Sequence, residues 1–393
     1  MAEETLIEWT NRRLADGTVV PGKTFNLWIG CTKISPACDN CYAERDMAKI
    51  HKMVDWGPEK DGGNRKVVVE STRRNPEKWA KKARNLGLRP LVFTASLADI
   101  FEVWKGPMIL NSPEHEHPLF VDSRPGEPKW NAEPSSIAFA KASEVRLLTM
   151  DDCREELFRI IARTADALDY LMLTKRPGHA KTLWPKLSAI WRDELDKIVL
   201  TAGLAKARDY YDRTGMIPNV WPGTTCESID YTNRLDELNG INAVRRFVSI
   251  EPQVGPFRIW PYLANSMAPG APGIHWVIQG GESGGEDIRP LHPDWCREIR
   301  DDCLASDVPY FLKQWGEVLP IDHAGPEHDT PRKVNIWRER AVAENDTEGA
   351  EFMKAECRAQ RVALPMVGLR IGKKNAGRVL DGRTHDAIPA SVL

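Results

Sequence analysis

Short apolar runs separated by helical segments constrain the fold of this chain more than any other feature of its sequence. Seven such runs, mostly of aliphatic and aromatic residues without regular alternation, lie within residues 25–31, 90–101, 169–177, 219–228, 245–252, 274–283 and 308–317. Strands that are buried on both faces have this pattern, and such strands belong to parallel sheets. Segments with helical spacing lie between the runs, at residues 76–86, 153–167 and 293–305. The alternation of strand and helix predicts an α/β protein.

Two parallel architectures fit seven strands: a full or partial (β/α) barrel of the TIM-barrel type, and a doubly wound open sheet. A polar residue follows nearly every run, namely Cys31, Asp99, Lys175, Glu227, Glu251, Glu282 and Lys313. In a barrel the carboxyl ends of all strands meet at one face, where catalytic groups collect, whereas an open sheet uses only the strands beside its switch point. We therefore predict a (β/α) barrel over residues 1–317. Some polar residue follows any strand, so a structural origin stays open for part of this set.

Two regions interrupt the strand and helix pattern. Residues at about 105–150 are rich in proline and predict an ordered insertion or a lid. Residues 318–393 predict a C-terminal extension, with one helical piece at about 333–361 and a basic, turn-rich tail.

Charge and apolar content set the expected compartment and partners. No run approaches the ~18 apolar residues of a membrane helix, and the first residues lack the pattern of a signal peptide. We expect a cytoplasmic protein without membrane contact, whose eight cysteines are thiols or metal ligands rather than disulfides.

The formal net charge is −2, so nucleic-acid binding would need a local basic face. Residues 42–90 hold 13 Lys and Arg against 7 Asp and Glu, and the tail adds Arg370, Lys373, Lys374, Arg378 and Arg383. A solvated helix face is the alternative explanation for these charges.

Three cysteines follow the first apolar run with the spacing Cys-x6-Cys-x2-Cys, at Cys31, Cys38 and Cys41. A structural zinc site needs four ligands, commonly from two close pairs. Here only one close pair exists, and the nearest histidine, His51, lies ten residues beyond Cys41. A [4Fe–4S] cluster takes one cysteine per iron, so three cysteines leave one iron open to a cofactor or substrate. We predict a [4Fe–4S] cluster at residues 31–41, with zinc binding and structural coincidence as alternatives.

Motifs along the chain carry a resemblance to a known superfamily. They are NLWIGCTKISPACDNCYAE, FTASLADIF, LTKRP, NVWPGTTCES, FVSIEPQVGP, WVIQGGESG, PYFLKQWG and GRVLDGRTHDAIP, and they span almost all of the chain outside the insertion. The cysteine loop resembles that of the radical S-adenosylmethionine superfamily, and the whole set is similar to a phage- and mobile-element-associated branch of three-cysteine-motif proteins. The usual spacing in the superfamily is Cys-x3-Cys-x2-Cys, whereas the first gap here is six residues.

The resemblance implies a cofactor and a reaction type. S-adenosylmethionine would bind the open iron, and an electron supplied by an external donor would release a 5′-deoxyadenosyl radical. In the superfamily a Gly-Gly-Glu segment contacts the methionine amine, which implies a cofactor-binding role for Gly280, Gly281, Glu282 and Ser283. The superfamily segment usually follows the second strand, so a tight turn is the alternative explanation here.

Two residues of the fifth run share one side of a predicted strand. Ser249 and Glu251 are two positions apart, and alternate residues of a strand point to the same face. A buried carboxylate is costly unless it is paired or bound to a ligand. We predict that Glu251 acts in catalysis with Lys313 and that Ser249 contacts the cofactor. The structural alternative is an ion pair of Glu251 with Lys175, Arg176 or Lys313.

Three further polar residues are candidates for cofactor binding. Lys175 and Arg176 can hold a phosphate or a carboxylate, and Asp99 can orient a ribose hydroxyl. Helix capping and surface ion pairing are the alternative roles.

These observations together predict an iron–sulfur, S-adenosylmethionine-dependent radical enzyme that acts on a nucleotide or a nucleic acid base. The alternative of another class is a non-catalytic, zinc- or cluster-stabilised module that binds nucleic acid or protein. A third hypothesis is an enzyme of polar chemistry with Glu251 and Lys313 as acid and base.

Overall fold

Seven strands form one parallel sheet at the centre of the chain. The computed structural model describes residues 5–14, 16–111, 118–122, 130–131, 145–284, 288–320, 333–335, 367–370 and 372–393. The strands are β1 (Lys23–Phe25), β2 (Leu91–Thr94), β3 (Asp169–Thr174), β4 (Val220–Thr225), β5 (Phe247–Ile250), β6 (Trp276–Gly280) and β7 (Tyr310–Gln314). Each strand pairs in parallel with the strand that follows it in this series. The prediction of an α/β fold with a parallel sheet is confirmed.

The strand order distinguishes between the two predicted architectures. The order β1 to β7 in space is the order along the chain, with β1 and β7 at the two edges. A doubly wound sheet reverses its order at a switch point, and this sheet does not. The sheet is therefore a singly wound half-barrel that is open between β1 and β7.

Helices cover the outer face of the sheet. They are α1 (Asn75–Leu86), α2 (Met150–Arg163), α3 (Pro177–Lys197), α4 (Ala202–Thr214), α5 (Asn233–Asn239) and α6 (Pro293–Ala305). The three predicted helices are confirmed in outline. Helix α2 begins three residues earlier than predicted, because Thr149 and Asp152 form a capping box, and it ends at Arg163 rather than at residue 167. Helix α6 begins after His292, whose Nδ1 accepts a hydrogen bond from the Asp294 amide. None of the described helices is both long enough and apolar enough to cross a membrane.

The first predicted strand is divided into two pieces. Strand β1 ends at Phe25, and Trp28–Ile29 pairs instead with Arg65–Val67 in a separate small sheet. The Asn26 side chain accepts a hydrogen bond from the Leu97 amide at 2.8 Å, which holds the chain between the two pieces. The residue before the first cysteine is Gly30, whose φ of +111° favours glycine.

The concave face of the half-barrel holds its own apolar cluster, here called the inner core. Its members are Trp9, Leu91, Phe93, Leu171, Trp221, Val244, Phe247, Trp276, Ile278 and Phe311. The Trp9 ring packs 4.7 Å from the Phe93 ring and 6.1 Å from the Trp276 ring, measured between centroids. Residues 385–387 run beside β7, where the Leu312 amide donates to the His385 carbonyl at 3.0 Å. Segments far apart in the sequence thus complete the inner core.

The insertion and the extension contain short antiparallel strands. These strands are Phe120–Asp122, Trp130–Asn131 and Val145–Leu147 in the insertion, and Val318–Pro320, Lys333–Asn335 and Val367–Arg370 in the extension. Residues 333–335 are a strand, so a helix starting at about 333 is wrong there, and residues 336–361 lie outside the described residues. A short helix, Lys373–Ala376, follows the last of these strands.

Acid should destabilise the amino end of the sheet through Asp169. This buried carboxylate accepts hydrogen bonds from Arg12 and Arg89, each at 2.8 Å. Burial alone would raise the pKa of Asp169, but Arg89 and Arg12 outweigh it and lower the pKa below 3.8. Because the pKa is lower in the folded state, the stabilisation is complete above the unfolded pKa of about 3.9 and is lost as the pH falls through the folded value. We expect Asp169→Asn to lower the free energy of unfolding by about 3–5 kcal/mol at pH 7. In urea unfolding at a series of acidic pH values, the stability of the variant should depend less on pH than that of the parent.

A surface ion pair provides the control for this prediction. Asp209 pairs with Arg213 on α4, and the side chains are 66% and 65% exposed. We expect Asp209→Asn to change the free energy of unfolding by less than about 1 kcal/mol. Equal losses in the two variants would contradict the role given to Asp169.

Candidate functional site

One large cavity opens at the carboxyl ends of the strands. Its volume is about 1020 Å³. Side chains or backbone at or just after the end of every strand line it, from Thr24, Phe93, Thr174, Thr225, Ser249, Gly281 and Lys313. Trp9 and Phe93 belong both to the inner core and to the cavity wall, so the inner core forms the cavity floor. This is the face on which a singly wound parallel sheet presents its functional groups.

The predicted site residues converge on this cavity. Twelve of the thirteen line it: Cys31, Cys38, Cys41, Asp99, Lys175, Arg176, Ser249, Glu251, Gly281, Glu282, Ser283 and Lys313. Gly280 is the exception and lies behind the wall, where a Cβ would approach the Glu251 Cδ to 3.3 Å. Residues from six separate parts of the chain therefore share one site.

The three cysteines lie on a loop along one side of the cavity. Cys31, Cys38 and Cys41 are half-buried free thiols. Cys38 ends a short 3-10 helix, Pro36–Cys38, and Cys41 precedes the helical segment that begins at Tyr42. In the part of the chain that the structure describes, no group of three or more His, Cys, Asp and Glu side chains is arranged to hold a metal ion. A [4Fe–4S] cluster does not require its ligands to converge on one point as a single ion does, because each thiolate binds a different iron. Three thiols that face one cavity suit that donor set.

Arg176 contacts the first cysteine directly. Its Nη1 lies 3.8 Å from the Cys31 Sγ, and its Nη2 donates to the Thr32 carbonyl at 2.8 Å. Burial, together with the nearby Glu102 and Asp99 carboxylates, raises the pKa of the Cys31 thiol to about 12, and Arg176 opposes this rise. The guanidinium is thus the group that favours a thiolate at this position.

Asp99 holds Arg176 in place. Its carboxylate accepts hydrogen bonds from Arg176 Nη1 at 2.8 Å, from Thr174 Oγ1 at 2.6 Å, and from the Lys175 and Phe101 amides, each at 3.0 Å. Four protein groups already donate hydrogen bonds to this carboxylate, so a ribose hydroxyl would compete with them for the predicted interaction. The observed contacts make Asp99 a positioning residue.

A fully buried ion pair behind the loop was not found from the sequence. Arg65 and Glu102 are 0% and 2% exposed in their side chains and make two hydrogen bonds, at 2.7 and 2.6 Å. Arg65 also donates to Thr32 Oγ1 at 2.9 Å and stacks on the Trp104 ring at 4.1 Å. The pair fixes the residue next to Cys31. Its members are 37 positions apart, and neither belongs to a motif that could have indicated the other.

Glu251 and Lys313 form an ion pair that faces the cavity. Lys313 Nζ lies 2.7 and 2.8 Å from the two Glu251 carboxylate oxygens, and Gln314 Nε2 donates at 3.1 Å. The pair spans from β5 to β7 across β6, and Gly280 on β6 leaves the space that it needs. One of the predicted structural pairings therefore exists, and it places both charges where a ligand can reach them.

Glu282 is connected to the cysteine loop through Arg289. Its carboxylate accepts hydrogen bonds from the Arg289 amide at 2.7 Å and from Arg289 Nε at 2.9 Å. Arg289 Nη2 in turn donates to the Pro36 carbonyl at 2.8 Å. A Cβ at Gly281 would lie 2.0 Å from the Trp315 carbonyl, so close backbone packing requires glycine there. The segment from Gly281 to Glu282 therefore braces the loop, and sequence reasoning missed Arg289.

Comparison with known proteins gives one match. A family model described as "Protein of unknown function (DUF5131)" matches residues 4–105 and 115–389. No curated protein and no solved structure matches the chain significantly.

Proposed function

The chain belongs to the DUF5131 family, and we propose from its site that it is an iron–sulfur, S-adenosylmethionine-dependent radical enzyme on a partial (β/α) barrel. The observation that carries the proposal is the convergence of Cys31, Cys38 and Cys41 with an ion pair and a buried guanidinium on one cavity. Small-molecule sites have volumes of about 300–1,000 Å³. A cavity of about 1020 Å³ has room for a cluster with a cofactor beside it.

The donor set fits a [4Fe–4S] cluster with three protein ligands. Cys31, Cys38 and Cys41 would hold three irons and leave the fourth to S-adenosylmethionine. When bound, such a cluster would supply the single electron for reductive cleavage of S-adenosylmethionine, and the hydrogen-atom abstraction that follows would be the cofactor's chemistry. Like other cofactors, the cluster carries the hard chemistry, and the protein supplies placement and exclusion of water.

The residues of this chain then have distinct tasks. Arg176 donates toward the Cys31 sulfur, and hydrogen bonds to cluster sulfurs tune reduction potentials. Arg289 holds the cysteine loop at Pro36, and the Arg65–Glu102 pair holds it at Thr32. Glu251 and Lys313 present a carboxylate and an ammonium to the polar groups of a bound molecule. The inner core closes the cavity from below and excludes water.

Anaerobic reconstitution tests this proposal. The whole chain of 393 residues would be incubated with iron and sulfide, reduced with dithionite and mixed with S-adenosylmethionine. We expect about four irons per chain, a low-temperature electron paramagnetic resonance signal that changes on adding S-adenosylmethionine, and 5′-deoxyadenosine by chromatography. One zinc per chain without 5′-deoxyadenosine would overturn the radical function and favour the metal-stabilised binding module.

The Glu251–Lys313 pair favours a second candidate, an enzyme of polar chemistry. A carboxylate and an ammonium in hydrogen-bond contact within a cavity can act as base and acid. This candidate does not use the cysteines, so its activity would survive the loss of Cys38.

A further inference from the structure

Among the residues that the structure describes, more cations than carboxylates line the cavity. The described cations are Lys33, Arg45, Lys175, Arg176, Lys313, Lys373, Lys374 and Arg378. Five of them form ion pairs, with Glu44, Asp46, Asp99, Glu251 and Glu8 as partners. Within the described residues, Lys175, Lys373 and Lys374 form no ion pair. Among the lining carboxylates, Glu317 alone is without an ion pair to a described residue.

Lys373 lies close to charges of both signs at the cavity wall. Burial lowers the pKa of Lys373, and Lys313 adds to that effect, while Glu251 and Glu317 oppose it. Two cations that lie side by side at a cavity wall are stabilised when an anion binds between them.

Two aromatic rings face the same cavity. Tyr42 is 46% exposed, and its hydroxyl donates to the Ser96 carbonyl at 2.7 Å, which fixes the ring. Trp56 is half-buried and also lines the cavity. Neither ring belongs to the inner core or to the apolar cluster between the sheet and its helices. Aromatic faces interleaved with cations are typical of sites that stack bases and track phosphates.

We propose that the cavity binds a nucleotide unit of the substrate, with a phosphate on the neighbouring Lys373 and Lys374 and the base against Tyr42 and Trp56. This inference rests on the proposed function, whose substrate class it names. The ligand is a phosphorylated nucleoside, which could be a free nucleotide or one nucleotide of a single-stranded nucleic acid. A duplex keeps its bases stacked inside, and the cavity would exclude it.

Fluorescence anisotropy with a short, labelled, single-stranded oligonucleotide tests the proposal on the whole chain of 393 residues. We expect saturable binding that weakens as salt rises, with a slope of about −0.7 per phosphate contact. The double variant Lys373→Gln/Lys374→Gln should bind at least tenfold more weakly and with a shallower slope. Trp56→Ala should also weaken binding, by about tenfold, because it removes one stacking surface. The control Lys197→Gln/Lys206→Gln removes two exposed lysines that do not line the cavity and should bind as the parent does.

Competition experiments distinguish the source of the nucleotide. Displacement of the oligonucleotide by nucleoside monophosphates supports a free nucleotide, whereas displacement by unlabelled strands alone supports a nucleic acid. The proposal would be overturned by the absence of binding, by equal losses in the cavity and control variants, or by displacement with inorganic phosphate as effective as displacement with nucleotides. Binding is measured without cluster or S-adenosylmethionine. If reconstitution fails but the oligonucleotide still binds, the radical function is wrong and the nucleotide site stands. If reconstitution succeeds but the oligonucleotide does not bind, the substrate assignment is wrong and the radical function stands.

Discussion

Replacing Cys38 with alanine is expected to remove the cluster and nearly all 5′-deoxyadenosine formation. Among the cysteines in the described part of the chain, three line the cavity, so the loss of one leaves two of these thiols for a group that takes one ligand per iron. We expect iron to fall from about four per chain to less than one, and 5′-deoxyadenosine to fall to the background of unreconstituted protein. Iron analysis, the visible absorbance of the cluster and chromatography on matched anaerobic samples measure these changes.

A distant cysteine gives the matched control for this variant. Cys303 is fully buried on α6, in the apolar cluster between the sheet and its helices, and does not line the cavity. Cys303→Ala should keep its iron and its product, although it loses some packing. A Cys38→Ala protein that retains both would show that Cys38 is not a ligand, and a variant that loses its iron but keeps its activity would favour polar chemistry.

Replacing Glu251 with glutamine is expected to lower 5′-deoxyadenosine formation by about 100-fold while leaving the iron content unchanged. The substitution keeps the size of the side chain but removes the charge that pairs with Lys313 Nζ at 2.7 and 2.8 Å. A half-buried ammonium is then left without its carboxylate, and a ligand that depends on this pair loses its orientation. Iron analysis and the rate of 5′-deoxyadenosine formation, measured on the same reconstituted sample, separate this effect from loss of the cluster.

The same kind of ion pair exists on the outside of the fold. Lys186 Nζ lies 2.9 Å from Glu155 Oε1, and neither residue lines the cavity. Glu155→Gln therefore removes a comparable pair and should change neither iron content nor product. If Glu251→Gln behaves like Glu155→Gln, the cavity pair has a structural role only.

The sheet could be predicted from the sequence because its signal is local. A strand that is buried on both faces concentrates apolar residues in one short run, and each of the seven runs contains one strand of the sheet or its last residue. The bounds were less well determined at the first strand. There, Asn26 interrupts the run through a side-chain hydrogen bond and Gly30 through a positive φ, and neither effect can be read from composition.

The site could be predicted only in outline. Strand ends gave its location, because parallel strands present their carboxyl ends on one face. The partner of Glu251 could not be selected among three cations, since the choice depends on Gly280 leaving space across β6. Arg65 and Arg289 were missed because their partners lie elsewhere in the sequence and come close only in the folded chain. Contacts of this kind leave no periodic pattern.

The composition of the inner core has a consequence for the order in which the fold assembles. Trp9 and Ile388 pack against the same cluster, although 379 positions separate them (388 − 9), whereas the sheet above pairs only strands that follow one another. Contacts between distant segments carry a larger loop-closure cost and form more slowly than local ones. The sheet and its cysteine loop can therefore form first, with the concave face still open from below. A cluster inserted at that stage would enter a site whose inner core is incomplete. The later packing of the segments around Trp9 and Ile388 would then close the site to oxidants.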